Sequence, residues 1–541
     1  MPETFNSVAS KVLKDSISTA MFIDDKALEP FEENKEIFED FSDLYKSFKR
    51  NNCLLDIRRY KNIGHKVKYN NSLSKIDLLV LDWQLVEGDT EYLIPLQMLA
   101  KAISAKNVHF ICIYTKRKNE EIEDQILYPI TSYFSDIYQG KVSEKLEIFY
   151  DRLDEQGIEL QNFKDTLGGL IKELTFCHYQ KQDTADIISN IETALHELEI
   201  GNDFNNFIER NYANLDCDQK LICFGYELFD VPTSDNPYPY TIRISQKDKN
   251  TIYINNTLIK IRNKMETPAP VLYKDFCDSL IKDHNIFFTL FGLEMRNRFR
   301  ESAAFIGAEI GSIDDIALFY HQNQVTSTEF LELLKNIWKE QASSFLYEKN
   351  IKILDVLEDY KADRRITHKV NTFRKTDAKN LENLAKINAF YNILDIKRTK
   401  KDTIKFGDIF LRDDNVERKF LLCITPHCDC LHPKENIDDM FHFIEGKQIL
   451  LSDGLGKAEK EFISFIYYEN HPISIEWHCR PFSIYIPKSK NHVGGAATKV
   501  KIKGAGTKIQ YLCTLRENYC QRIANHSFQH PLRVGINFAK K

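Results

Sequence analysis

Three short apolar segments of this chain each end in side chains able to do chemistry. Residues 19–25 (TAMFIDD) end in Asp24 and Asp25, residues 74–85 (SKIDLLVLDWQL) carry Asp82 after an apolar run, and residues 108–116 (VHFICIYTK) end in Thr115 and Lys116. A carboxylate can act as a nucleophile or hold a hard cation, and a hydroxyl or ammonium can meet an anionic oxygen. The order along the chain is Asp-Asp, Asp, Thr.

The elements that must hold these groups are legible in the flanking residues. The run Leu78 to Leu81, bounded by polar residues, reads as a strand buried on both faces. The carboxyl ends of such strands, in an open parallel sheet, are where ligands and chemistry sit. Residues 54–58 (LLDIR) read as a further strand, and residues 93–103 are apolar at helical spacing and should cover one face of the sheet. Residues 87–89 (EGD), which follow Asp82, read as a flexible loop.

This order of tips resembles the receiver domain of two-component signalling, over roughly the first third of the chain. The resemblance implies that Asp82 is the phospho-accepting aspartate, that Asp24 and Asp25 join Asp82 in holding Mg²⁺, and that Thr115 is the switch hydroxyl. A carboxylate attacking phosphorus forms an acyl phosphate, and a divalent cation permits the approach of two anions. The resemblance also implies a lysine at the end of the following strand. No clear strand–lysine unit follows Thr115, so either Lys116 substitutes, or Lys141 sits there, or the site is an atypical one.

With 541 residues the chain is too long for one ordinary core, so several domains are expected. The hydrophobic content of 43% with 28% charged residues is that of a globular chain, and a net charge of −6 argues against a general nucleic-acid binder. Scattered cysteines without CxxC, no secretory signal and no run of membrane-spanning length point to a reduced, cytoplasmic protein.

The expected architecture is multi-domain, α/β plus α+β. Residues 1–180 form a receiver-like doubly wound parallel sheet. Residues 181–400 are mostly helical, with a β-hairpin near 240–262 turning at Asn255-Asn256. Residues 401–541 form a small β-barrel with a terminal helix. The stripe Ile187, Ile188, Ile191, Leu195 and Leu198 suits either internal packing or a homodimer face. Glu294 and Arg298 stand four apart on one helix face with Arg296 and Arg300 beside them, which reads as ion pairing. The GDIF and LLCITPHCDC segments resemble the strand–turn–strand opening of SH3-like, PemK-type barrels. His427, Cys428, Cys430, His432, His478 and Cys479 are zinc-type ligands, but a CxC with no second pair at a fixed interval argues against a zinc knuckle.

These features read as a phospho-accepting regulator rather than an enzyme: Asp82 takes a phosphoryl group from a partner histidine kinase, with a second regulator or an effector as further partner. At the level of domains the chain is similar to the phosphate-buffering regulators of Detocs-type anti-phage systems. Two alternatives stand beside this reading. One is a receiver-gated hydrolase or nuclease using the residues 427–432 or the Arg/His-rich end of the chain. The other is a degenerate receiver that only scaffolds.

Overall fold

The computed structural model describes residues 3–27, 35–60, 72–85, 92–105, 110–137, 143–213, 215–232, 240–282, 287–301, 315–327, 330–331, 333–335, 351–374, 376–394, 402–413, 418–460, 462–468, 471–478, 480–487, 498–502 and 505–529. It divides into two compact units, Met1–Ala303 with Asn350–Ala362, and Ala304–Lys349 with Asp363–Lys541.

The first unit is built on one sheet. Its strands are β1 (Thr19–Asp24), β2 (Leu54–Arg59), β3 (Leu78–Leu81), β4 (Phe110–Thr115), β5 (Ile242–Ile244), β6 (Thr251–Ile254) and β7 (Thr257–Asn263), in the order β2-β1-β3-β4-β7-β6-β5. The first five in that order run parallel, and β6 and β5 add an antiparallel edge. Side chains alternate between the faces, as the two-residue period of a strand requires. Met21, Ile23, Leu79, Leu81, Ile111, Ile113, Ile259 and Ile261 enter one core, while Ala20, Phe22, Leu78, Val80, Phe110, Cys112 and Leu258 enter the other. Both faces are covered, which is why β3 and β4 read as unbroken apolar runs.

On the second face lie α1 (Phe5–Ser16) and α2 (Lys35–Arg50). On the first lies α3 (Leu93–Ser104), followed after β4 by a helical insertion. The insertion contains α4 (Ser143–Glu155), α5 (Leu160–Gln180), α6 (Ala185–Glu197), α7 (Gly201–Asn211) and α8 (Cys217–Leu228). The apolar stripe of α6 is spent internally: Ile187, Ile191 and Leu195 are buried in the first core. The chain then returns to the sheet through the β6–β7 hairpin, where Asn255 takes a left-handed φ of 52°. Asparagine is among the few residues that accept such a φ cheaply. The hairpin read near 240–262 therefore extends the N-terminal sheet, and β7 is its fifth parallel strand.

After β7, α9 (Leu272–Ile281) and α10 (Phe287–Glu301) close the second face. The arginines of α10 are ion-paired: Arg298 meets Glu294 at 3.3 Å, and Arg300 and Arg296 reach the buried Asp77 at 2.5 and 3.6 Å. Asp77 also accepts from the backbone N–H groups of Ser18 and Thr19 at 3.1 Å, tying α10 to the start of β1.

The second unit is the β-rich C-terminal body with a terminal helix that its sequence indicated. Strands β8 (Ile393–Leu394), β9 (Asp408–Asp413), β10 (Lys419–Cys423), β11 (Met440–Ile449), β12 (Ile463–Tyr468), β13 (His471–Trp477), β14 (Phe482–Tyr485), β15 (Thr498–Ile502) and β16 (Ala505–Leu515) pair antiparallel throughout. The long strand β11 is shared, pairing β14 along Met440–Phe443 and β13 from Gly446 onward. The terminal helix Glu517–Gln529 buries Cys520, Ile523 and Ala524 against the sheet. Gly446 is required where β11 meets β13, because a Cβ there would stand 2.5 Å from the Trp477 ring and 2.7 Å from Ile475. The variant Gly446→Val is expected to destabilise this unit by about 1–3 kcal/mol. Calorimetry of the full chain checks it: one transition falls in temperature while the other holds.

Among the described residues, no helix is long and apolar enough to cross a membrane.

Candidate functional site

The carboxyl ends of the parallel strands bring five polar side chains to one rim of the sheet. Asp24 is the last residue of β1 and Asp25 follows it; Asp82 comes directly after β3; Thr115 is the last residue of β4. Lys264 comes directly after β7. The ladder continues past the strand ends, with Asp82 N–H donating to Ile23 O at 2.9 Å and Lys264 N–H to Thr115 O at 2.7 Å. Those bonds fix the backbone from which the functional side chains project.

Oxygen atoms of Asp24, Asp25 and Asp82 all lie within 4.8 Å of one another. The Lys264 ammonium bridges two of them, 3.0 Å from Asp24 Oδ2 and 2.9 Å from Asp82 Oδ2. Asp24, Asp82 and Thr115 are buried, and Asp25 stands half-buried at the mouth. The second oxygens are also oriented: Asp24 Oδ1 accepts from Lys26 N–H at 2.8 Å, and Asp82 Oδ1 from Gln84 N–H at 3.4 Å. Thr115 Oγ1 accepts from Arg117 N–H at 3.1 Å, so its own proton can be directed elsewhere. Asn263 locks the β4 and β7 ends together, donating to Arg117 O at 2.6 Å while its Oδ1 accepts from Met265 N–H at 2.7 Å. Trp83, next to Asp82, is buried and donates through its indole to Gln125 O at 2.9 Å, anchoring the tip of β3 to the insertion.

Burial pushes the Asp82 carboxyl up to about 6, with the neighbouring Asp24 charge adding to the effect and Lys264 opposing it. Burial acts on Asp24 too, but the Lys264 charge and hydrogen bond and the Lys26 N–H outweigh it and hold that carboxyl below its usual range. Asp25 is raised by burial and by the Asp24 charge. Lys264 is held above its ordinary value because the two carboxylates outweigh its burial. Three carboxylates facing one ammonium leave the pocket negative, and the donors are hard oxygens in the number a small divalent cation accepts while keeping water in its shell.

The acids expected from the sequence, Asp24, Asp25 and Asp82, are brought together, and Thr115 ends the neighbouring strand. The lysine is not where the sequence pointed. Lys116 is exposed, Lys141 lies outside the described residues, and the ammonium on the acids belongs to Lys264. The physical reason is the insertion: the fifth strand is delayed until after α8, and the lysine travels with it. Its signal was present in TLIKIRNK, an alternating strand ending in Lys264, read only as half of a hairpin.

A five-stranded parallel core in the order 2-1-3-4-5, with an acidic cluster and a lysine at the carboxyl ends of its strands, defines a receiver-type α/β domain. Residues 16–164 match the family model of the response receiver domain, so the N-terminal part of this chain contains a receiver domain. The match ends inside the insertion, before β7 and Lys264. No curated protein and no solved structure matches the chain.

Proposed function

We propose that the first unit is a response regulator's phosphoryl switch, with Asp82 as the acceptor, fed by a partner histidine kinase. The single observation that carries this is the joint grip of Asp24, Asp82 and Lys264, drawn from three strand ends onto one point. Asp24, Asp25 and Asp82 would hold Mg²⁺, which supplies charge neutralisation for the approach of an anionic phosphoryl group.

This chain's own residues do the rest. A carboxylate oxygen of Asp82 forms the new bond to phosphorus as the bond from phosphorus to the donor's nitrogen breaks, and the donor imidazole leaves with the electron pair. The Lys264 ammonium, already on Asp82, transfers its contact to a phosphoryl oxygen and leaves Asp24. The Thr115 hydroxyl donates to another phosphoryl oxygen, which draws the end of β4. Because Asn263 ties β4 to β7, that change passes to the hairpin and to α9. A phosphate-buffering role, in anti-phage defence or another relay, uses the same chemistry. It differs from a switch in needing no change elsewhere in the chain.

The test is incubation with acetyl phosphate and Mg²⁺ followed by a phosphate-affinity gel. A retarded band that needs Mg²⁺ and disappears with hydroxylamine is expected, and its absence would end the proposal. The pH dependence follows from Asp82. Its carboxyl must lose a proton to bind a cation, and it titrates near 6 rather than near the ordinary aspartate value. The rise in melting temperature given by Mg²⁺ is therefore expected to be full at pH 8 and to shrink as pH falls through about 6. Scanning calorimetry at pH 8 and pH 5.5 reads it directly.

A further inference from the structure

Away from the acidic pocket, the second face of the first unit has a cleft of about 180 Å³ where α1, α2 and α9 meet. Its lining is mostly apolar surface, with charged and hydroxyl side chains around it. Ser10 and Lys14 stand one turn apart on α1, and Ser47 and Arg50 lie on the last turn of α2. Asn52, with a left-handed φ of 58°, then turns the chain away and leaves Arg50 at the rim. Val271 and Lys274 lie where α9 continues from a short 3-10 turn over Ala269–Val271, whose bonds from Val271 N–H to Pro268 O and Leu272 N–H to Ala269 O satisfy the leading donors.

Two features of the cleft are unlike an ordinary charged surface. Lys14, Arg50 and Lys274 converge on it, yet none makes an ion pair or a side-chain hydrogen bond with a described residue. Asp278 also lines the cleft, so the balance is three cations to one carboxylate. The Ser47 side chain is only 3% exposed and lines the same space, and its hydroxyl donates to no described residue. A hydroxyl with no internal partner is free to donate to a group that enters the cleft.

We propose that this cleft binds a phosphate monoester, with Arg50, Lys14 and Lys274 on the phosphate oxygens and the Ser47 hydroxyl donating to one of them. A dianion matches the excess of two positive charges, and Arg and Lys are the side chains that hold phosphate oxygens. The cleft exceeds the volume of the phosphate alone, and Val271 and Pro270 offer an apolar wall to the group that carries it. The site stands apart from Asp82 and does not depend on phosphoryl transfer there.

The experiment is calorimetric titration of the full chain with phenyl phosphate and with inorganic phosphate, in EDTA so that the acidic pocket holds no cation. Saturable binding is expected, tighter for phenyl phosphate, and unchanged in Asp82→Ala. The double variant Arg50→Gln, Lys274→Gln, which changes two exposed side chains, should keep its melting temperature and lose about tenfold or more in affinity, the worth of one charge-assisted hydrogen bond. Ser47→Ala should weaken binding without destabilising the chain, since the hydroxyl has no internal partner. No saturable binding, or binding that survives the double variant, or binding abolished by Asp82→Ala, overturns the proposal.

Discussion

Asp82→Asn leaves a folded chain that takes up no phosphoryl group. Incorporation from acetyl phosphate falls to background, because the amide has no carboxylate oxygen to attack phosphorus. The substitution is nearly isosteric, and it removes a carboxylate whose ionisation the fold opposes. The sign is fixed by the raised value. A carboxyl that titrates near 6 when folded, and near 4 when unfolded, contributes stability only while protonated, and that contribution is lost as pH rises through this window. Asp82→Asn is therefore expected to melt no lower than the native chain at pH 8. Phosphate-affinity gels and calorimetry on the same preparation check both halves, and undiminished labelling of the variant contradicts the assignment.

Lys264→Met has the opposite thermodynamic consequence. The ammonium is the shared partner of two buried carboxylates, and methionine keeps the bulk but removes the charge. Removing one partner from a buried ion pair costs about 3–5 kcal/mol, because it strands the remaining charge. Here two carboxylates are stranded together. The loss is expected to be largest at neutral and alkaline pH and to ease as pH falls, when one of the two takes up a proton. Adding Asp82→Asn to Lys264→Met should recover a good part of it, giving a coupling term in a double-mutant cycle. Urea unfolding of the four chains at pH 8 and pH 5.5 measures this. Additive effects would mean that Lys264 acts elsewhere.

The acidic cluster was legible because burial on both faces of a parallel sheet leaves the sequence only one place for a polar residue, the strand tip. Asp82 after Leu78–Leu81 and Asp24 after Met21–Ile23 are instances of that constraint. Lys264 was not legible as a partner, since nothing in local pattern says which distant strand completes a sheet. The helices α4 to α8 separate it from Thr115, and their apolar faces belong to the same core as the sheet. The hairpin turn at Asn255 could be read, but the parallel pairing of β7 with β4 is a tertiary fact. The ion-paired reading of α10 held for Glu294 and Arg298, which are neighbours in sequence. The grip of Arg300 on Asp77 had no local sign. The unpaired cations of the cleft were invisible for the same reason, being contributed by three separate helices.

The most direct measurement is to trap the phosphorylated protein. The full chain is incubated with acetyl phosphate and Mg²⁺, reduced with borohydride, which converts an aspartyl phosphate to homoserine, and mapped by mass spectrometry. The expected result is homoserine at position 82 alone, dependent on Mg²⁺ and much reduced in Lys264→Met. Homoserine at another aspartate, or none with the native chain, would contradict the account.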